Sequence, residues 1–155
     1  MSAKTKKLTD RQSEFVKLVQ QTVGKLASHY NINHVLISNG FKEVNAGGFK
    51  TVYKKRGYDY CVKVWHQSWG WKQDSYKVPK LLRHHYVHPI YQNKRYLIQP
   101  WIKGKYSDYG YKRPVKKLPF VVTNSVYDVR EDNIRVHDNR EVVIDFCYGP
   151  AACSP

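Results

Sequence analysis

The first regular pattern along the chain is helical. Thr9-Asp10-Arg11-Gln12 has the form of a capping box, in which two side chains satisfy backbone N–H groups at the start of a helix. Apolar residues then recur at helical spacing, at Phe15, Leu18, Val19, Val23 and Leu26. These positions predict one amphipathic helix over residues 9–29, preceded by a basic, flexible tail over residues 1–8.

From residue 41 onward the pattern is typical of strands. Residues 41–65 contain three short runs, which are FKEVNA, TVYKKR and YDYCVKVW. Arg56-Gly57 forms a turn-like break before the third run. Two further runs, LLRHHYVHPIYQ and RYLIQPW, flank Asn93-Lys94, and Pro89 marks the first of them as an edge or bulged strand. The pattern predicts an α+β fold: an N-terminal helix followed by a five-stranded antiparallel sheet.

Two other stretches show no clear period. Residues 66–80 contain Gly70 and Pro79 and leave room for a short helix at most. Residues 103–125 contain two glycines and two prolines among many Tyr and Lys residues, which favours an extended loop.

The third strand places a lysine in an unusual position. Strand alternation puts Tyr58, Tyr60, Val62 and Val64 on one face and Asp59, Cys61, Lys63 and Trp65 on the other. A buried lysine in this setting requires an anion, because an unpaired buried ammonium costs several kcal/mol. The strand alone also allows the lysine to extend to solvent from an exposed face.

The composition indicates one folded domain and a class of negatively charged partners. A chain of 155 residues with 41% hydrophobic content is typical of one folded domain. Its formal net charge of +15 predicts attraction to polyanions, which include nucleic acid, nucleotide phosphates and acidic protein surfaces. The charge does not choose among them.

The cysteines and the hydropathy of the chain indicate the cellular compartment. Cys61, Cys147 and Cys153 are an odd number without a CxxC pair, so neither a disulfide framework nor a structural zinc site is indicated. No apolar run approaches the ~18 residues that span a bilayer. We expect a soluble protein of the cytoplasm with no membrane partner.

Several segments in a fixed order resemble a known family. They are a glycine turn in NAGGFKTVYK, the Val-Lys-Val strand, a Pro-Trp-Ile-Lys-Gly connector, Asp128-x4-Asn133-Ile134, and a hydrophobic strand that ends at Asp145-Phe146. This order, over residues 39–149, resembles the protein-kinase fold reduced to a minimal core. Small kinases of this kind resemble those that bacteriophages encode, which would place the chain in the cytoplasm of a host.

The resemblance implies a role for each matching residue. Lys63 would grip the α- and β-phosphates of ATP. Gly47 and Gly48, with Phe49 in the same turn, would cover the phosphates. The remaining roles fall near the C-terminus, where Asp128 would be the catalytic base and Asn133 and Asp145 the ligands of Mg²⁺.

The hairpin after Asn133 gives this spacing a physical reason. His137-Asp138-Asn139-Arg140 is expected to turn the chain back. The strand Val142-Val143-Ile144 would then return Asp145 to Asn133, so that two oxygen ligands converge on one hard cation. Asp128 would be left to face the attacking hydroxyl.

The sequence also departs from the kinase pattern. Lys50 stands in place of the third loop glycine, Val126-Tyr127 in place of His-Arg, and Cys147 in place of the last glycine. Residues 66–80 contain no glutamate to orient the lysine, and Asp74 is the only acid there. We therefore expect a single domain over residues 9–155, with the helix and upper lobe over residues 9–101 and a strongly reduced lower lobe over residues 102–155.

Three functions remain open on this basis. The first is a protein Ser/Thr kinase that acts on a host or partner protein, or on itself. The second is a pseudokinase-type binding protein or inhibitor of a host factor, which the missing glutamate and the reduced lower lobe favour. The third is a basic nucleic-acid-binding module that uses segments such as YKKRGYDY.

His84, His85 and His88 could suggest zinc, but strand alternation separates His85 from the other two, which favours structural or surface histidines.

Overall fold

The structure is a computed structural model, and it describes residues 7–46, 50–66, 86–103, 105–106 and 134–144. The chain divides into two compact units. We call the first, residues 1–67 and 89–99, the sheet unit, and the second, residues 68–88 and 100–155, the hairpin unit.

The sheet unit begins with two helices, not one. Helix α1 spans Asp10–Val23 and helix α2 spans His29–Ser38. The predicted capping box is confirmed: the Gln12 amide N–H donates to Thr9 Oγ1 at 3.2 Å, and Gln12 Oε1 accepts from the Thr9 N–H at 3.0 Å. No helix among the described residues is long and apolar enough to cross a membrane.

The prediction of one helix over residues 9–29 is wrong in extent. Gly24 has φ 56° and ψ −132°, a conformation that cannot continue an α-helix and that glycine adopts without steric cost. Ser28 then starts the next helix, because its hydroxyl accepts a hydrogen bond from the Asn31 N–H at 3.2 Å.

Five strands follow the helices. They are β1 Phe41–Ala46, β2 Lys50–Lys55, β3 Tyr60–Trp65, β4 Tyr91–Gln92 and β5 Tyr96–Pro100. Their order across the sheet is β1-β2-β3-β5-β4, which confirms the predicted five-stranded antiparallel sheet and places β3 at its centre. The turn at Arg56-Gly57 is also confirmed, and β4 lies at the edge, as Pro89 predicted.

The two helices pack on one face of this sheet and form its core. Phe15 of α1 is fully buried, and its ring lies 4.9 Å from that of Tyr58 and 5.3 Å from that of Tyr60. The other core residues are Val16, Val19, Val23, Ile32, Leu36, Phe41, Tyr53, Val62, Val64, Tyr96 and Ile98. We call this side of the sheet the helix face and the opposite side the far face.

Three strands lie in the part of the hairpin unit that the structure describes. Strands β6 Lys105–Tyr106, β7 Ile134–His137 and β8 Arg140–Val143 form an antiparallel sheet in that order. Asp138 and Asn139 connect β7 to β8 with φ of 49° and 57°, as in a two-residue type I′ turn. The predicted hairpin is confirmed, and Tyr86 adds a parallel bridge to Val143 of β8. The predicted loop over 103–125 contains β6, and residues 107–125 lie outside the described residues.

Candidate functional site

Lys63 lies in the middle of β3, on the far face. It pairs with Val52 of β2, and its neighbours on the same side of β3 are Cys61 and Trp65. The exposed fractions are 5% for Lys63, 2% for Cys61 and 3% for Trp65. The alternative in which the lysine extends to solvent from an exposed sheet face is therefore wrong.

The far face is buried around this lysine. On β5, Tyr96 and Ile98 belong to the helix-face core, so the alternating Leu97 and Gln99 lie on the far face. Leu97 and Gln99 are also buried. Both faces are thus closed at the centre of the sheet, although antiparallel sheets commonly leave one face to water.

The sheet register places Lys63 near the end of the sheet at which β1 connects to β2. Asn45 of β1, Val52 of β2 and Lys63 lie in one row across three strands. The next row contains Ala46, Thr51 and Val64, and the connection from β1 to β2 runs from Ala46 to Lys50, which pairs with Trp65. Since one residue advances about 3.3 Å along a strand, Lys63 lies within a few residues of the end of the sheet where that connection is made.

The other predicted site residues fall outside the described part of the chain. They are Gly47, Gly48, Phe49, Asp128, Asn133 and Asp145, and Asp74 lies outside it as well. Within the hairpin unit, Ile134 pairs with Val143, and both are fully buried. Along the sequence, Asn133 directly precedes this pair and Asp145 is the second residue after it.

A polar cluster on the helix face was not anticipated from the sequence. The hydroxyl of the buried Thr51 lies 3.1 Å from His29 Nε2 and 2.8 Å from His66 Nε2. The two imidazole rings meet edge to face, with their centroids 4.5 Å apart. A hydroxyl has one proton to donate, so Thr51 can donate to at most one of the two imidazoles and must accept from the other.

The surroundings of His29 lower its pKa from the usual 6.5. Burial is the largest cause, because it disfavours the charged imidazolium, and His66 adds to it, whereas Glu43 acts in the opposite direction. The sequence did contain a signal for the helix that carries His29. Ser28, directly before His29, is a good N-cap residue and indicates that a second helix starts there.

The described residues offer no group of three or more His, Cys, Asp or Glu side chains arranged for a metal ion. His88 is exposed, and its ring lies edge-on to that of Tyr86 at 5.1 Å. His84 and His85 lie outside the described residues, as do both predicted magnesium ligands.

Comparison with other proteins does not add to this geometry. No family model, curated protein or solved structure matches the chain.

Proposed function

We propose that this protein is an ATP- and Mg²⁺-dependent phosphotransferase of the protein-kinase type, which phosphorylates a Ser or Thr hydroxyl of a protein. The observation that carries the proposal is the burial of Lys63 in the third strand of a five-stranded antiparallel sheet. In protein kinases the lysine that binds the phosphates also lies on the third strand.

The surroundings of Lys63 support a role in binding an anion. Cys61, Trp65 and Leu97 on the same face are buried, and in such surroundings a lysine is attracted more strongly to a negatively charged group than it would be in water. The α- and β-phosphates of ATP would supply it. The fit to ATP is thus one of charge and of position on the strand.

The connection from β1 to β2 supports the same assignment. Lys63 lies one row from the end of β1 and two rows from the start of β2, the strand ends that this connection joins. Gly47 and Gly48 are part of the connection, and glycines let backbone N–H groups approach phosphate oxygens without interference from a Cβ atom. In this proposal Gly47, Gly48 and Phe49 cover the phosphates.

The β7–β8 hairpin is the basis for the proposed Mg²⁺ ligands. Asn133 and Asp145 flank its last pair along the sequence, and their oxygen atoms are of the type that Mg²⁺ prefers. In this proposal Asn133 and Asp145 hold Mg²⁺, which would neutralise charge on the phosphates.

The reaction follows from these roles. The oxygen of the acceptor hydroxyl forms a bond to the γ-phosphorus of ATP, and the bond from that phosphorus to the oxygen it shares with the β-phosphate breaks. ADP leaves with the electron pair, and Asp128 accepts the hydroxyl proton. The chain contributes mainly by positioning the reactants and stabilising charge.

A second candidate is a pseudokinase, which binds nucleotide and holds a partner without phosphoryl transfer. The absence of glutamate from residues 66–80 favours it, because nothing but Asp74 could orient Lys63 from that stretch in the way a kinase glutamate does. Its partner would carry negative charge to match the net charge of +15.

The decisive experiment is incubation with γ-labelled ATP and Mg²⁺, with a generic basic protein as acceptor and the chain itself as a second acceptor. We expect wild type to transfer label, and Asp128→Ala and Asp145→Asn to lose at least ~100-fold in rate. Asp138→Asn, an acid-to-amide change at an exposed turn residue of the neighbouring hairpin, is the matched control and should keep the wild-type rate.

The other outcomes assign the other functions. Saturable ATP binding by wild type without transfer would overturn the kinase and support the pseudokinase. Failure to bind ATP, together with binding to DNA or RNA that weakens steeply with salt, would support the nucleic-acid-binding module, because phosphate contacts release counterions.

A further inference from the structure

A second lysine shares the far face with Lys63, close to the glycine turn. Lys50, the first residue of β2, pairs with Trp65 of β3. Side chains of directly paired residues point to the same side of a sheet, and so do side chains two residues apart on one strand. Lys50, Trp65 and Lys63 therefore lie on one side of the sheet.

The register also sets the separation of the two lysines. Lys63 is the diagonal neighbour of Lys50, since it lies two residues before Lys50's partner Trp65. Diagonal neighbours are about 7–8 Å apart, within reach of long side chains. Two lysines at this spacing can contact one chain of linked phosphates.

The charged side chains that strands β1, β2 and β3 place on the far face are all lysines. Within strands β1, β2 and β3, which the structure describes in full, the far face carries four lysines and no carboxylate; the lysines are Lys42, Lys50, Lys54 and Lys63. Glu43, the acid of β1, pairs with Tyr53 and so lies on the helix face. The two lysines nearest the glycine turn are Lys50 and Lys63.

We propose that Lys50 and Lys63 form a paired cation site for linked phosphates, which makes the protein selective for nucleoside triphosphates over monophosphates. The inference rests on the proposed function, because it assumes that the nucleotide lies on the far face at Lys63. It adds a binding role for Lys50, which stands where the kinase pattern has a glycine.

Lys54 provides a matched control. It lies on the same strand and the same face as Lys50, is also half-buried, and is likewise a diagonal neighbour of Lys63, because it pairs with Cys61. It lies four residues further along β2, on the side of Lys63 away from the connection between β1 and β2, so the two lysines differ in their distance from that connection and not from Lys63. Lys50→Gln and Lys54→Gln remove the same charge from the same face. A difference between them reports position, because the net charge is the same in both.

The test is calorimetric titration of wild type and both variants with Mg·ATP and with AMP, at about 0.15 M salt to screen distant charges. We expect Lys50→Gln to weaken Mg·ATP binding about 10- to 100-fold, the usual contribution of a hydrogen bond to a charged group. AMP binding should change less than about threefold, and Lys54→Gln should change neither ligand by more than that. Lys50→Arg, which keeps the charge, should recover most of the Mg·ATP affinity.

The outcomes separate this inference from the proposal on which it rests. Equal losses in Lys50→Gln and Lys54→Gln would overturn the paired site and leave only a diffuse basic surface. Mg·ATP binding unchanged in Lys50→Gln would overturn the inference while leaving the proposed function in place. Wild type that binds neither ligand would overturn both, whereas chemical unfolding of each variant shows whether a loss reflects a damaged fold.

Discussion

The two faces of strand β3 are equally buried but differ in chemistry. On the helix face, Val62 and Val64 pack against α1 and α2 in a core that is almost entirely apolar. On the far face, Lys63 and Gln99 are as buried as the apolar residues beside them. The helix face thus stabilises the fold mainly by burying apolar side chains, whereas the far face holds a charged side chain at the centre of the sheet, where an anion-binding site would need it.

The largest expected effect is on the helix face. Phe15→Ala removes a fully buried ring that contacts Phe41, Tyr58 and Tyr60. We expect a loss of about 3–5 kcal/mol in the free energy of unfolding, from the lost burial and the cavity left behind. Urea unfolding measures it, with Lys17→Ala on the exposed side of α1 as the control, expected within about 0.5 kcal/mol of wild type. A loss below about 1 kcal/mol for Phe15→Ala would contradict the assignment of the core.

The next prediction tests whether the far face is closed. In a Cys147→Ser/Cys153→Ser protein, Cys61 is the remaining thiol, and it is 2% exposed. We expect a thiol reagent to modify it at least ~100-fold more slowly than in the same protein unfolded in guanidinium, because reaction requires local opening. Equal rates in the two conditions would show that water reaches the far face, and the contrast between the faces would fail.

Much of this sheet could be predicted from the sequence, because strand alternation is a local property. Alternation along YDYCVKVW assigned Val62 and Lys63 to opposite faces, and the structure keeps that assignment. The break between α1 and α2 was missed because Leu26 continues the helical spacing past Gly24. Gly24 was the residue that indicated a break. Its non-helical backbone conformation ends α1, even though Leu26 stands at a helical spacing from the apolar residues before it.

A smaller effect is expected for a polar group on the helix face. The hydroxyl of the fully buried Tyr53 donates to Asn33 Oδ1 at 2.5 Å, and burial raises the pKa of Tyr53 to about 12. Tyr53→Phe keeps the ring and removes this hydrogen bond, so we expect a loss of about 1 kcal/mol in the free energy of unfolding. Asn33→Ala is the partner control, and a double variant no worse than either single variant would confirm that the two groups act together. Additive losses would contradict this pairing.

The smallest effect is a pH dependence of stability. The pKa of His29 is lower in the folded protein than its usual 6.5, so below that pH the unfolded chain binds more protons. The stabilising contribution is complete above about pH 6.5 and is lost as the pH falls from there through the folded pKa. Urea unfolding between pH 5 and 8 should show this slope in wild type and a smaller one in His29→Gln. An identical slope in both proteins would rule out His29 as its source.

The candidate site was less predictable than the sheet, for a physical reason. The identity and face of Lys63 follow from the strand, but its burial depends on what covers the far face, which no local pattern contains. The cluster of Thr51 with His29 joins residues 22 positions apart across elements, and it could not be inferred while α2 was missing from the prediction. The proposed roles of Asp128, Asn133 and Asp145 remain predictions.

The most direct test of the central claim separates binding from stability at Lys63. Lys63→Met keeps a long side chain of similar volume and removes the charge, and urea unfolding of both proteins measures what that charge contributes to the free energy of unfolding. In the variant, at a temperature and urea-free condition where both proteins are folded, Mg·ATP affinity should fall at least ~10-fold, since a charged hydrogen bond contributes about 1.5–3 kcal/mol. Equal Mg·ATP affinity in the two folded proteins would contradict the assignment of Lys63 to phosphate binding.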